Sequence, residues 1–429
     1  MEIIVEKTGR LQGTVKAPPS KALTHRAVIA ASLSEGRSTI RDPSTCADAL
    51  ATVRACRMLG AKIERKGNVF CVDGNLKPNT PNNIVYCGAS GSTIRFIASI
   101  CALADSVSIL TGNKTLRRRP MQPLLDALNQ VGARCTSTKS DGTPPLVIFG
   151  GGIQGGKASL LGDVSSQFIS SLLFATPKAK NETTIILTTS LESRPYVNMT
   201  LDVLRTHGIR MNYSSSHDRF TVPGEQEFRP ADHAVEGDYS SAAFLLAAAA
   251  LTKSRLKVTS LRKETSQGDK TIVGVIEKMG ASVSVAEDYV VVDGNRSDLA
   301  GLEIDLRNAP DLIPVCAVLA CFARGETTII GVERLRFKES DRIASLTSEL
   351  IKMGAKITHD KNSLVIEGKA KLQGAKLSSH NDHRIAMANT IAALGAEGKT
   401  TVQGVQCVKK SYPDFLRDLR SVGGKIIDG

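Results

Sequence analysis

The sequence predicts an α/β protein of two domains, built from six repeats whose apolar helices lie at the centre and whose sheets lie outside. First, 429 residues exceed what one hydrophobic core ordinarily holds, so two domains are expected. Second, an amphipathic helix, a glycine and a short strand recur in that order six times, at intervals of roughly 70 residues. Third, another helix of each repeat is apolar on most sides, which is typical of a buried helix.

The six recurring glycines predict where the amphipathic helices end. Glycine readily adopts the left-handed conformation that closes a helix before the chain turns into a strand. These glycines are Gly60, Gly132, Gly208, Gly280, Gly354 and Gly423. A second series of short β-rich segments ends at Ile40, Ile109, Ile185, Val258, Ile329 and Val402. Each repeat therefore holds two helices and several strands, and it must associate with others to bury its apolar faces.

The most polar clusters of the chain stand directly before the apolar helices. A helix N-terminus presents free N–H groups and a partial positive charge, which suit phosphate or carboxylate. The clusters contain Lys21, Arg26, Gly91, Arg95, Ser165, Ser166, Gln167, Asp238, Ser240, Asp311, His383 and Arg384. Ser, Asp and Gly are also ordinary capping residues, so no single cluster indicates a site. Their shared position in all six repeats predicts a cationic cleft between two three-repeat domains, suited to a polyanion.

The segment FKESDR, residues 337–342, carries four charges before the helical pattern IASLTSELIKMG. It predicts a helix start with Ser340 or Asp341 as the N-cap. Among the basic loop residues, we expect Arg117, Arg118 and Lys409 on the solvated surface. Arg119 differs because the following Pro120 restricts its backbone to extended conformations.

Composition favours acidic partners but does not choose among them. The formal net charge is +13, aromatic residues make up 4%, and there is no Trp. A nucleic acid and a small, multiply anionic substrate both fit the charge, although few aromatic rings are present to stack on bases.

The sequence also bears on location and on metal binding. No apolar run is long enough to span a membrane, and the N-terminus lacks a signal segment. Because the nine cysteines form no CxxC pair, we expect a cytoplasmic protein with reduced thiols. The HxxH pair of His380 and His383 lacks a third zinc ligand at suitable spacing, and Cys316 and Cys321 are expected to fill the core.

The sequence resembles the 5-enolpyruvylshikimate-3-phosphate synthase family in four motifs that occur in order along the chain. They are PSKALTHR (19–26), FKESDR (337–342), NDHRIAMA (381–388) and KKSYPDF (409–415). The resemblance implies transfer of the enolpyruvyl group of phosphoenolpyruvate to the 5-hydroxyl of shikimate 3-phosphate, with release of phosphate. It implies a two-domain inside-out α/β barrel of six βαβαββ repeats, three per domain. One domain would contain residues 1–14 and 236–429, and the other would contain residues 15–235. It also implies a monomer without cofactor, metal, nucleic-acid or membrane partner, whose domains close over the substrates and over the analogue glyphosate.

The resemblance assigns a role to individual side chains. Glu339 would protonate the vinyl methylene, Asp311 would be the base near the attacking hydroxyl, Lys21 would assist proton transfer, and His383 would support the site. Shikimate 3-phosphate would be held at Lys21, Ala22, Arg26, Ser165, Ser166, Gln167, Ser193, Asp311 and Lys338. Phosphoenolpyruvate would be held at Lys21, Gly91, Arg119, Gln167, Arg342, Arg384 and Lys410. Cations suit two polyanions that must be brought together, and arginine binds phosphate and carboxylate bidentately. A carboxylic acid beside Lys338 and Arg342 tends to be ionised, so Glu339 would gain its proton when bound anions neutralise those cations.

The chain departs from the family pattern at three positions and leaves two alternatives open. Ala22 replaces the usual Ser after the first Lys, Ala89 replaces an Asn that many members carry, and Arg334 replaces an Asn that binds shikimate 3-phosphate in some members. One alternative is a UDP-N-acetylglucosamine enolpyruvyl transferase, although TGNKTLRRRP lacks the reactive Cys of that family. The other is an RNA-end-processing or nucleic-acid-binding protein of related fold, which only the basic charge favours.

Overall fold

The computed structural model describes residues 1–295, 298–368 and 371–429. Contacts divide the chain into unit 1, Met1–Pro18 with Glu236–Gly429, and unit 2, Pro19–Val235. The sequence-based division after residue 14 falls within a strand, Gln12–Lys16, which belongs to a sheet of unit 1. The sequence-based division at residues 235 and 236 is also where the two units divide. No helix in the described ranges combines the length and apolarity needed to cross a bilayer.

The described strands form six sheets of four strands each. In chain order the strands are β1 Glu2–Glu6, β2 Gln12–Lys16, β3 Arg37–Arg41, β4 Lys62–Lys66, β5 Val69–Asp73, β6 Val85–Tyr86, β7 Ser108–Thr111, β8 Arg134–Ser137, β9 Leu146–Phe149, β10 Gly156–Leu160, β11 Thr183–Leu187, β12 Asn212–Tyr213, β13 Arg219–Val222, β14 His233–Ala234, β15 Arg255–Thr259, β16 Ser282–Val285, β17 Tyr289–Asp293, β18 Glu303–Asp305, β19 Glu326–Ile330, β20 Lys356–His359, β21 Ser363–Glu367, β22 Lys376–Ser378, β23 Lys399–Gln403 and β24 Ile426–Asp428.

The helices alternate with these strands along the chain. The described α-helices are α1 Lys21–Ser32, α2 Ala47–Met58, α3 Gly91–Cys101, α4 Gln122–Gln130, α5 Ser166–Ala175, α6 Arg194–Thr206, α7 Tyr239–Leu251, α8 Thr271–Lys278, α9 Ile313–Phe322, α10 Arg342–Lys352, α11 His383–Gly395 and α12 Phe415–Ser421. Short 3-10 turns are Leu116–Arg118, Thr176–Lys178, Gly268–Lys270, Pro310–Leu312, Glu333–Phe337 and Val405–Lys410.

Each sheet has the same pairing pattern, which confirms the predicted repeat. The second repeat of unit 2 runs β6, α3, β7, α4, β8, β9, and its sheet has the order β6-β7-β9-β8. The first pair, β6 and β7, is parallel, and the two following pairs are antiparallel. This is a βαβαββ repeat, because the parallel pair needs a crossover helix whereas the last two strands form an antiparallel pair.

Some repeats are completed by strands that are distant in sequence. In unit 2, β14 pairs in parallel with β3, placing His233 opposite Ile40. In unit 1, β2 pairs in parallel with β15, and β1 lies between β23 and β24 in an antiparallel arrangement. The N-terminal strands therefore belong to two different sheets of unit 1.

The first helix of each repeat is buried, as predicted. Every residue from Tyr239 to Ala250 in α7 is buried, and α9 is buried from Ile313 to Cys321. The helices α7, α9 and α11 contact one another in unit 1, as do α3 and α5 in unit 2. The described residues form two hydrophobic cores, one in each unit. Strands such as β5 and β17 alternate buried and partly exposed residues, because only one face of each sheet packs on the helices.

The six recurring glycines follow α2, α4, α6, α8, α10 and α12 and have φ between +80° and +111°, as predicted. At Gly354, φ is +93° and an added Cβ would meet no atom within 4 Å, so the requirement for glycine is purely one of backbone conformation. Gly274 lies within α8 without a positive φ, and its surroundings are equally open.

Replacing these two glycines by alanine should change the free energy of unfolding in opposite directions. Gly354→Ala forces an alanine into the left-handed region and should lower the free energy of unfolding by about 1 kcal/mol. Gly274→Ala removes a flexible residue from a helix interior and should raise it by about 0.5–1 kcal/mol. Urea unfolding followed by circular dichroism measures both. Shifts of the same sign would contradict the assignment of Gly354 as a helix-ending residue.

Candidate active site

Arg342 is the centre of a buried charged cluster in unit 1. It is the first residue of α10, whose N-cap is Asp341, one of the two residues expected there. Its side chain is 1% exposed. In the described part of the chain it donates to Oδ1 of Asp311 at 2.9 Å, Oε2 of Glu339 at 2.8 Å and Oδ2 of Asp382 at 2.8 Å. One guanidinium thus compensates three carboxylates that come from separate elements.

Three further cations complete this cluster. Arg384 Nη2 donates to Oδ2 of Asp311 at 3.0 Å, and Lys410 Nζ donates to Oε1 of Glu339 at 2.5 Å. Lys338 Nζ lies 3.8 Å from Oδ1 of Asp311. Among the described residues, four cations and three carboxylates are joined in this way. The cluster therefore carries an excess of positive charge, which suits an anionic ligand.

The cluster shifts the protonation of its members. Burial acts to raise the pKa of Asp311, but Arg384, Lys338 and Arg342 outweigh it and hold that pKa well below its ordinary value. Burial lowers the pKa of Lys338 to about 8, although Asp311 opposes the shift. Asp311 is therefore ionised at neutral pH, and Lys338 loses its charge in mildly alkaline solution.

The starts of three helices position these groups. Asp311 lies in the 3-10 turn before α9, and Lys338 and Glu339 lie between another 3-10 turn and α10. Asp382 is the N-cap of α11, where its Oδ1 accepts from the backbone N–H of Arg384 at 2.9 Å. Asp311 and Asp382 thus lie at equivalent helix starts of consecutive repeats. Lys338, Glu339 and Arg342 lie at the start of α10, the amphipathic helix between them.

In unit 2 most of the predicted residues lie at the starts of α1, α3 and α5. Lys21 is the first residue of α1 and donates to Oδ2 of Asp48 at 3.1 Å. Gly91 begins α3 after the N-cap Ser90, and Ser166 begins α5 after the N-cap Ser165. These three helix starts present backbone N–H groups in the same unit.

Arg119 packs directly against the start of α3. An added Cβ on Gly91 would collide with Nη1 of Arg119, so only glycine allows this approach. Arg119 has φ −83° and ψ 133°, the extended conformation expected before Pro120. It is buried, whereas Arg117 and Arg118 are exposed, as predicted. Lys410 and Lys409 show the same contrast in unit 1.

Gln167 connects two of these helix starts. Its side-chain oxygen accepts from Arg95 Nη1 at 2.7 Å, and its Nε2 donates to Ser92 Oγ at 2.8 Å. The Arg95 guanidinium also lies over the Phe168 ring, 5.1 Å from its centroid. The side chain of Gln167, which is on α5, is thus oriented by two side chains of α3.

Arg26 is held entirely inside unit 2. It donates to the backbone oxygen of Ala22 at 2.9 Å, to that of Tyr196 at 2.8 Å and to Thr200 Oγ1 at 2.8 Å. Burial lowers its pKa to about 10, with Tyr196 opposing the shift. Ser193, another predicted residue, is buried in a left-handed conformation just before α6.

Sequence reasoning missed several side chains that orient the predicted ones. Asp382 binds Arg342 and caps α11, and its place before an apolar helical run was the available signal for a cap. Asp48, which binds Lys21, gave no local signal because it lies in the next helix. No local pattern in the sequence indicated the buried hydrogen bonds from His25 through Thr52 to Thr93 either, since they join α1, α2 and α3.

The two histidines of the HxxH pair lie beside carboxylates, and the two cysteines predicted to fill the core lie in it. His380 Nε2 donates to Glu349 Oε1 at 2.7 Å, whereas His383 is buried with Nδ1 3.6 Å from Asp382 Oδ1. No group of three or more His, Cys, Asp or Glu side chains in the described ranges is arranged to hold a metal ion. Cys316 and Cys321 are fully buried in the core, as predicted, and all nine cysteines are free thiols.

Comparison with known proteins identifies relatives along the whole chain. The profile of EPSP synthase (3-phosphoshikimate 1-carboxyvinyltransferase) matches residues 5–419. A 3-phosphoshikimate 1-carboxyvinyltransferase of Methanocaldococcus jannaschii is 46% identical over 428 residues, and one of Methanococcus maripaludis is 44% identical over 427 residues, each covering 99% of both chains. The solved EPSP synthase of Acinetobacter baumannii superposes with a TM-score of 0.83 at 27% identity, covering 99% of this chain and 98% of the other. The enolpyruvyl transferase NikO of Streptomyces tendae, at 20% identity and a TM-score of 0.80 over 99% of this chain and 98% of the other, shares the fold.

The position of Arg342 predicts a large effect of its removal on stability. Arg342→Met leaves three carboxylates without their shared cation and should lower the free energy of unfolding by about 3–5 kcal/mol. Arg307→Met is the matched control, because Arg307 pairs with Asp305 at the exposed surface and its loss should cost about 1 kcal/mol or less. Urea unfolding measures both. Equal and small changes would show that the Arg342 cluster is not a stabilising element.

Proposed function

The chain belongs to the EPSP synthase family, and we propose that the side chains described above perform the reaction of that family, 3-phosphoshikimate 1-carboxyvinyl transfer. In this reaction the enolpyruvyl group of phosphoenolpyruvate passes to the 5-hydroxyl of shikimate 3-phosphate by addition and elimination, and phosphate leaves. The observation that carries the assignment of roles is the Arg342 cluster. It joins cations suited to anionic substrates with two carboxylates, Asp311 and Glu339, suited to proton transfer.

Arginine and lysine of both units would hold phosphoenolpyruvate. In unit 1 these are Arg342, Arg384 and Lys410, and in unit 2 they are Lys21 and Arg119, assisted by Gly91 and Gln167. An incoming phosphate or carboxylate would compete with Glu339 for Lys410 and with Asp311 for Arg384, because those contacts lie within hydrogen-bond distance. Binding would therefore rearrange the charges around both acids.

Shikimate 3-phosphate would lie at the helix starts of unit 2 and beside Asp311 and Lys338 of unit 1. The unit 2 positions are Lys21, Ala22, Arg26, Ser165, Ser166, Gln167 and Ser193. Ala22 supplies no hydroxyl, and Thr24 does not replace it: the Thr24 hydroxyl is buried, donates to the Ser20 carbonyl at 2.8 Å and accepts from Ser44 N–H at 2.9 Å. The phosphate would meet backbone N–H groups at this position instead.

The two acids would have different tasks. Asp311 is ionised, which is the form required to accept a proton from the 5-hydroxyl. Glu339 would deliver a proton to the vinyl methylene after bound anions draw Arg342 and Lys410 away from its oxygens. Lys21, held by Asp48, would assist proton transfer, and His383 would support the site from beside Asp382.

The family assignment disfavours both alternatives. A UDP-N-acetylglucosamine enolpyruvyl transferase shares the donor, and an RNA-processing protein shares the basic charge, but the profile and the relatives name the shikimate enzyme. Phosphate release with shikimate 3-phosphate, and none with the sugar nucleotide or with RNA, separates the three functions.

Three further properties belong to the proposal. Units 1 and 2 would be the two domains, and the substrates would bind residues of both. Nine free cysteines suit a reducing compartment, which supports a cytoplasmic location. The protein would be a monomer, since a single chain carries every assigned side chain and the proposed site needs no second copy, and size-exclusion chromatography with light scattering checks the monomeric state.

Replacing Glu339 tests the proposed acid directly. Glu339→Gln should keep KM for both substrates within a few-fold and lower kcat by about 100-fold or more, the usual scale for losing a general acid–base group. Steady-state phosphate release measures this. Glu333→Gln, a nearby exposed glutamate that pairs with Lys361, is the control and should behave like the unmodified enzyme. Near-normal turnover of Glu339→Gln would remove Glu339 from the mechanism.

The lowered pKa of Lys338 predicts that binding of shikimate 3-phosphate weakens in alkaline solution. Its pKa of about 8 means that the side chain is charged below that pH and loses its charge, and its attraction for shikimate 3-phosphate, as the pH rises through 8. A plot of kcat/KM for shikimate 3-phosphate against pH should therefore fall above about pH 8. Lys338→Arg keeps its charge and should move that fall to higher pH. An identical profile for both proteins would assign the limit to another group.

A further inference from the structure

Glu349 is a buried carboxylate to which the proposed mechanism gives no role. It lies on α10 about two helical turns after Arg342, so both side chains lie on the same face of this helix. The Glu349 side chain has no exposed surface. An ionised carboxylate in such a position requires several hydrogen-bond donors.

Two of the donors come from the segment that leads into α11, residues 378–382. Glu349 Oε2 accepts from the backbone N–H of Ser378 at 2.9 Å, and Oε1 accepts from His380 Nε2 at 2.7 Å. Two further donors to Oε1 come from α10 itself, Lys352 Nζ at 2.8 Å and Ser348 Oγ at 3.3 Å. Arg342, at the start of α10, holds Asp382 at the other end of this segment. One face of α10 therefore holds the segment at both ends, through Glu349 at one end and Arg342 at the other.

The segment needs this support because two of its residues have an uncommon backbone conformation. His380 and Asn381 are consecutive non-glycine residues with φ of 49° and 55°. Histidine and asparagine adopt this conformation more often than most residues other than glycine, but two in succession need surroundings that hold them. The next residues are Asp382, which caps α11, and Arg384, which binds Asp311. A relaxation at His380 or Asn381 would displace both side chains relative to Arg342.

We propose that Glu349 is a positioning residue for phosphoenolpyruvate binding: it locks residues 378–382 against α10 and so fixes Arg384 relative to Arg342. This inference rests on the proposed function for the identity of the ligand. The locking itself rests only on the contacts of Glu349 and on the backbone of His380 and Asn381. Glu349 acts through the two arginines and does not touch the substrate.

Two variants and one control test the proposal in the full-length chain. Glu349→Gln keeps an acceptor but loses the charge that holds the Ser378 and His380 donors together. His380→Asn keeps a residue that tolerates a left-handed backbone but is too short to reach Glu349. Lys352→Met is the control, because it removes a half-exposed partner of Glu349 without touching the segment.

The measurements are hydrogen exchange of residues 378–384 by mass spectrometry and steady-state kinetics for both substrates. Both variants should exchange faster in this peptide. Glu349→Gln should raise KM for phosphoenolpyruvate about tenfold or more, since small misplacements of binding groups have effects of this size, while KM for shikimate 3-phosphate changes by less than about threefold. His380→Asn should show a smaller change in the same direction, and Lys352→Met should leave both readouts unchanged.

The outcomes separate this inference from the proposed function. Unchanged exchange in both variants, or faster exchange with an unaltered KM for phosphoenolpyruvate, would overturn the positioning role even in an active transferase. An equal rise in both Michaelis constants would overturn it as well, because a general loosening of the unit has that effect. A natural chain without transferase activity would overturn the proposed function, and unchanged exchange would then remove the locking role too.

Discussion

The cluster in unit 1 depends on a single buried guanidinium. Desolvating an ion is costly, and three carboxylates around Arg342 would repel one another without a shared cation. Arginine meets the requirement because its planar group offers donors in several directions at once, which the ammonium of lysine cannot do in the same geometry. Arg384, Lys410 and Lys338 then add charge at the outer oxygens of the same acids. The starts of α9, α10 and α11 are thereby held together by electrostatics, whereas the bodies of α9 and α11 are held by apolar packing.

The repeat explains why charged and apolar residues can coexist in this arrangement. Each buried helix has an apolar body that packs in the core and an N-terminus where backbone donors lack partners. Polar side chains that cap these donors suit that end, as Ser20, Ser90, Ser165, Asp238 and Asp382 show by capping five of these helices. The same physical need that selects caps therefore concentrates hydrogen-bonding groups at one end of each helix. A site for anions arises at that end with few additional residues.

The sequence predicted the features that depend on local conformation and hydrophobic pattern. Glycine at a helix end, an apolar helix such as α7, an N-cap at Asp341 and an extended Arg119 each follow from the residue and its immediate neighbours. The pairing of β14 with β3 did not follow, because it joins residues almost 200 positions apart and β14 has only two residues. The Lys21–Asp48 and His25–Thr52 contacts were missed because each joins two different helices, across 27 positions. The extension of unit 1 to Pro18 depends on the pairing of β2 with β15, which no local pattern near residue 14 reveals.

The placement of β1 has a consequence for the order in which the chain can complete its sheets during synthesis. Unit 2 has all its strands once residue 234 has left the ribosome, since β14 is its last strand. Strand β1 is made first, yet its neighbours β23 and β24 end at Gln403 and Asp428. It lacks these partners while unit 2 and most of unit 1 are translated, a period in which an apolar strand is open to pairing with other chains. The glutamates that begin and end EIIVE place a negative charge at each end of the strand, and like charges on two such strands disfavour pairing between nascent copies.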